Sequence, residues 1–181
     1  NRAYKRTGGF NNDWSLTYAF TMRTLAELPE KSLSKLKGVA EESLRIESLP
    51  ERFEYLKDNP VETEVPVEIL YPALTSFVEE LDSSGWETVD RLLLDQIGSE
   101  VKDALGFPGG VDEGLVATIF EEILSGVELF ERNFGIKAII GAEGPGFIEN
   151  ETLVLEEETL EALTGLLGGA RMGVASSSLT S

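Results

Sequence analysis

The chain contains no cysteine and no histidine, and only 15 of its 181 residues are lysine or arginine, against 33 aspartates and glutamates. Each shortage excludes a class of chemistry. Without cysteine there is no disulfide framework, no thiolate nucleophile and no thiolate metal site. Without histidine, the Ser-His-Asp triad, the Cys-His pair and the histidine-rich zinc centre are all impossible. No apolar run approaches the ~20 residues of a membrane span, and the first residues do not form a secretory signal segment. Carboxylates, lysine, tyrosine and hydroxyls are what remain for chemistry. A non-enzymatic role without metal, nucleotide or organic cofactor is therefore expected.

The charge that is present is unevenly placed. Residues 1–60 hold ten basic and nine acidic side chains, whereas residues 61–181 hold five and 24. The hydrophobic content of 41% is that of a globular domain rather than an acidic tail, and the length suits one domain. Asn1 is not an initiator methionine, nor the small residue that methionine removal favours. Either an upstream export or organellar targeting segment has been cleaved, or the sequence starts inside a longer chain.

The hydrophobic periodicity predicts a mainly α fold, an irregular bundle of five to seven helices. Residues 1–12 read as a flexible basic arm loosened at Gly8-Gly9. A single helical domain is expected over 13–167, with an exposed linker near 59–66 and a flexible tail over 168–181. Asn12 or Asp13 is a good N-cap for a helix whose face carries Trp14, Tyr18, Met22 and Leu25. Leu33, Leu36, Ala40 and Leu44 form the next stripe. Ser48 and Glu51, and again Ser84 and Glu87, have capping-box spacing. Between these two boxes, a stripe from Val67 to Leu81 contains Pro72, which predicts a kink or a later start. Trp86 to Ala104 follows, with Gly98 placed to interrupt it. The longest clean stripe runs through Val116, Ile119, Ile123, Val127, Phe130 and Phe134. It predicts one central helix closed by Gly135. The β-branched run at 136–140, the glycines that follow and FIENETLVL predict a short β-hairpin near residues 136–155. Glu156 to Leu167 returns to helical spacing.

Several residue groups have functional spacings that simpler readings also explain. The loop Gly141 to Gly146 is glycine-rich, but Pro145 lacks an N–H and Glu143 repels anions, so a turn is expected rather than a phosphate site. The pairs Glu41-Glu42, Glu79-Glu80 and Glu121-Glu122 and the run Glu156 to Glu158 read as solvated helix faces. Trp14, Tyr18 and Phe20 near a basic arm have the composition of a single-stranded nucleic-acid platform, yet core packing fits their spacing better. The net charge of −18 also opposes a polyanion partner.

The leading functional reading is an accessory or assembly subunit docking on a larger multi-subunit complex. An organellar photosynthetic or other bioenergetic membrane complex is the particular expectation, with the chain a peripheral subunit in the plastid. The partners would be protein subunits, with no direct nucleic acid. The residues expected to make contact are Arg2, Tyr4, Lys5, Arg6, Phe10, Lys31, Lys35 and Lys37, with the two aromatics as anchors. A second reading is an acidic mimic or inhibitor that presents carboxylates to a basic nucleic-acid-binding protein. A third is a carboxylate-dependent hydrolase.

Overall fold

In the computed structural model, the chain is described over residues 4, 6–10, 12–62, 64–141, 144–150, 161–162 and 165. Among these, eight α-helices account for the architecture: α1 (Asp13–Ala26), α2 (Glu30–Ser43), α3 (Leu49–Asp58), α4 (Val67–Glu80), α5 (Trp86–Ile97), α6 (Ser99–Leu105), α7 (Leu115–Ser125) and α8 (Val127–Phe134). A 3-10 turn, Phe147–Asn150, ends the continuous part. The mainly helical fold is as the periodicity predicts. The number is higher than expected because two stripes are each split by a glycine.

At both breaks the glycine N–H still accepts the helical geometry and bonds the carbonyl four residues back. Gly98 donates to Leu94 and Gly126 to Glu122, both at 2.8 Å. Each glycine then turns to positive φ, 100° and 75°, where a side chain would be strained. The chain leaves the helix axis and starts again on the next residue. Gly98 was a foreseeable break. Gly126 corrects the expectation of one helix from Val116 to Phe134.

α1 lies at the centre. It packs mainly on α5, and also on α4 and α7, while α2 packs on α6 and α3. The core between them includes Tyr18, Met22, Phe77, Val89, Ile97 and Val101. Asn12 caps α1 as expected, its side-chain oxygen accepting from Trp14 N–H at 2.7 Å and Ser15 N–H at 3.4 Å. The two capping boxes do not form. Ser48 makes no capping bond to α3, and Gly85 holds the N-cap position of α5. Ser84 turns instead to Thr88 Oγ1 at 2.7 Å and to Asp82. Asp82 also accepts from Ser84 N–H, Thr88 and Arg91. These bonds, those from Ser84 and Thr88 foremost, hold its carboxyl well below the usual aspartate range. Pro72 lies within α4 and does not delay its start.

The N-terminal segment departs furthest from expectation. Tyr4 is 3% exposed and Phe10 is fully buried, and both belong to the main core. The Tyr4 ring packs on Phe10 and Phe20 at centroid distances of 5.8 and 4.7 Å. Its hydroxyl donates to the Leu74 carbonyl at 3.1 Å. Gly9 is no hinge: a Cβ there would sit 2.3 Å from the Gly85 nitrogen, so the segment lies flat on the turn before α5. At these positions the expected free arm is core structure.

No strand forms among the described residues. In place of a hairpin, a single bridge joins Gly126 and Pro145, and 136–141 is an irregular loop. Residues 147–150 of the expected hairpin form the 3-10 turn instead; its remainder from 151, most of the helix expected at 156–167 and the tail at 168–181 lie outside the described residues.

Candidate functional site: an apolar groove beside α7

α7 has the sequence LVATIFEEILS, apolar over most of its circumference. A helix of that kind must bury more than one side. One side does face the core, through Val116. The other lines an open groove of about 590 Å³. Its floor and walls come from Ile119, Phe120, Ile123 and Leu124 of α7, Phe53 and Leu56 of α3, Leu105 of α6 and Phe147 of the 3-10 turn. Thr17 and Thr21 of α1, with Leu115 and Val116 at the start of α7, complete the lining, and the Thr17 hydroxyl is already bonded to the Asp13 carbonyl at 2.9 Å. The rim is apolar as well: Ile123 is 41% exposed and Phe147 is 68% exposed. The breadth of the α7 stripe thus reflects two surfaces, so α7 is less central than the sequence suggests. A second set of exposed apolar residues, Val67, Ile69 and Tyr71, opens α4. Ile69 is about 200° around the helix from the other two, so the three do not make one face.

Two glutamates of α7 hold the groove's framework in place. Glu121 Oε1 accepts from the Trp14 indole N–H at 2.8 Å, tying α7 to α1. Glu122 is fully buried. Its carboxylate accepts backbone N–H bonds from Ile139 at 2.7 Å, Ile140 at 3.0 Å and Gly141 at 2.6 Å. This pair therefore does not form a solvated face, as its sequence suggests. Glu122 instead organises the loop that leads towards the groove-lining Phe147, which the sequence reading missed. The pairing spans 17 to 19 residues, so no local sequence signal marks it. The Gly141 N–H is committed to the Glu122 carboxylate and is not offered to a bound phosphate.

Tyr18, Asp90 and Lys102 form a second polar arrangement. Tyr18 is fully buried and stacks on Phe107 at 4.1 Å and 9°. Its hydroxyl donates to Asp90 Oδ1 at 2.6 Å. Asp90 also pairs with Lys102, whose ammonium lies 4.9 Å over the Trp86 ring. Each group is satisfied by the others, so the set joins α1, α5 and α6 and is not poised towards a substrate. Burial, the hydrogen bond to Asp90 and the charges of Asp90 and Asp103 raise the Tyr18 hydroxyl well above its ordinary value. Burial pushes Tyr4 up to about 12, with the Arg23 charge acting the other way. Both tyrosines therefore favour the folded state only while neutral. Their contribution is complete below the unfolded tyrosine value of about 10 and is lost as pH rises through the folded values. The urea midpoint should stay flat from neutrality to about pH 9.5 and fall steeply above about pH 10, together with the rise of tyrosinate absorbance. A midpoint unchanged at about pH 11 would contradict this.

The residues expected to contact partners scatter. Arg6 and Lys31 are exposed and Lys37 is half-buried. Lys35 is exposed, with its ammonium on the Pro60 carbonyl at 2.8 Å. Tyr4 and Phe10 are internal, and Arg2 and Lys5 lie outside the described residues. Neither aromatic is accessible to a partner. Among the described residues, no group of three or more acidic side chains is placed to hold a metal ion, and no helix is long and apolar enough to cross a membrane. The site and fold define a helical protein with an apolar groove at its surface. Comparison of the chain with protein-family models, curated proteins and solved structures returned no match.

Proposed function

We propose that the protein is a docking subunit of a larger assembly, and that it engages a partner through the groove beside α7. The supporting observation is the open apolar groove with Ile123 and Phe147 at its rim. Exposed apolar surface of this kind is unfavourable by roughly 25 cal/mol per Å² until something covers it. The chain carries a net charge of −18, which disfavours non-specific association with other acidic proteins. A peripheral place on an organellar membrane complex is a finer form of the same proposal, resting on the sequence reading alone.

Native extract separated by size tests this. The wild-type chain should travel in a species several-fold larger than its own 19.8 kDa. A Phe147→Glu, Ile123→Glu double variant should travel as the free chain, because both positions are exposed enough to accept glutamate without loss of the fold. Identical migration of the two proteins would refute a docking role for the groove.

A further inference from the structure

We infer that residues 136–141 and 144–147 form a strap that gates the groove: it detaches from α7 as one unit and carries Phe147 out of the groove wall. As a device that regulates access to the groove, it rests on the docking reading above for its purpose. Two clasps hold it. At the first, the N–H groups of Ile139, Ile140 and Gly141 converge on the Glu122 carboxylate at distances between 2.6 and 3.0 Å. At the second, Gly146 lies flat on the break between α7 and α8, where a Cβ would sit 2.1 Å from the Ser125 carbonyl carbon and 2.3 Å from the Gly126 nitrogen. Pro145 bridges to Gly126 at the same place. Phe147 is the next residue, and it lines the groove. Its 3-10 turn packs on α7.

Both clasps grip the same turn of α7, since the Gly126 N–H bonds the Glu122 carbonyl at 2.8 Å. Opening one lengthens the loop that the other must close, so each clasp weakens when its partner is released. Apolar burial adds little to them. Among the described residues of the strap only Gly146 is buried, and none belongs to the main core. Ile139 and Ile140 are half-buried, and Gly141, Gly144 and Pro145 are exposed. A segment with few buried apolar contacts and accessible backbone hydrogen bonds opens at a fraction of the cost of global unfolding. Phe147 leaves with the strap, because no residue separates it from Gly146. The α1 part of the lining stays, since Thr17 and Thr21 belong to the helix that carries Tyr18 and Met22 in the core.

Hydrogen exchange of the purified full-length chain reads the strap, and a single thiol reads the groove. The chain has no cysteine, so Thr21→Cys, on the α1 side of the lining, gives a bulky maleimide one site to alkylate. Without further change, the amides of Ile139, Ile140 and Gly141 should exchange together, at least about tenfold faster than the core amides of α1 and α5. Gly146→Ala pries the second clasp apart. It should speed those three amides by at least about another tenfold, leave α1 and α5 unchanged, and raise alkylation at Thr21→Cys at least about fivefold. Glu122→Gln loosens the first clasp without adding bulk. It should raise alkylation in the same way, and it carries the test should Gly146→Ala fail to fold. Loop amides that exchange in step with those of α1 and α5 would overturn the inference. So would loop amides unmoved by Gly146→Ala, because the two clasps would then act separately. Unchanged alkylation beside faster loop exchange would show a loose loop that gates nothing, and it too refutes the inference. No partner takes part in these measurements, so a chain that migrates alone in native extract would refute docking and leave these rates as they are.

Discussion

Glu122→Leu is expected to cost the fold about 1–3 kcal/mol, since it removes the shared acceptor of three backbone donors that are only partly shielded from solvent. The Glu122 side chain is fully buried, whereas Gly141, one of its three donors, is exposed. The loop residues Ile139 and Ile140 are only half-buried, which lets solvent recover part of the loss. Leucine is somewhat bulkier than glutamate, so the effect contains no cavity, and Glu122→Gln serves as the near-isosteric control for overpacking. Glu122→Gln should fall between, because one amide oxygen remains while an N–H₂ group is turned towards donors. Urea unfolding gives the magnitude. Amide exchange gives the location, with the N–H groups of Ile139, Ile140 and Gly141 losing protection first. A Glu122→Leu change below about 1 kcal/mol, with those amides still protected, would show that the loop is held by other contacts.

Phe10→Ala should cost about 3–5 kcal/mol, the usual range for removing a buried phenylalanine. The ring is fully buried and edge-on to Tyr4 at 87°, and Tyr4 in turn closes over Phe20 of α1. Emptying the Phe10 site leaves a void beside the Tyr4 ring, in the main core. Deleting residues 1–10 removes both rings and the Tyr4–Leu74 hydrogen bond together. Against a typical domain stability of about 5–15 kcal/mol, that deletion should largely unfold the chain. Far-UV dichroism of the truncated protein decides the matter. Retained helix content with an unchanged melting transition would restore the N-terminal segment to the status of a free arm. Loss of both would confirm it as core.

The contrast between these two sites and the sequence reading follows from range. The Asn12 cap is legible because donor and acceptor lie two and three residues apart. The stripe of Tyr18 and Met22 is legible because helical repetition brings those side chains to one face. Glu122 meets its donors 17 to 19 residues later, across a helix break and a loop. Trp14 meets Glu121 across 107 positions and Tyr4 meets Leu74 across 70. No local pattern encodes such pairs, so a glutamate pair and a basic segment read as solvated when they are not.

The groove shows the same division. Its α7 wall was visible as a broad apolar stripe, but a stripe does not say whether its neighbour is protein or solvent. Gly126 left the sequence periodicity intact while turning the chain, since only its φ of 75° reveals the break. From sequence alone came the helical class, the charge asymmetry, and the exclusion of histidine and cysteine chemistry. These follow from composition and from periodicities within a few residues. Tertiary structure alone decided that Tyr4 and Phe10 are internal, that Glu122 anchors a loop, and that one side of α7 is left open. Burial and hydrogen-bond partnership are properties of which distant segments pack together, and side-chain chemistry at one position does not determine that.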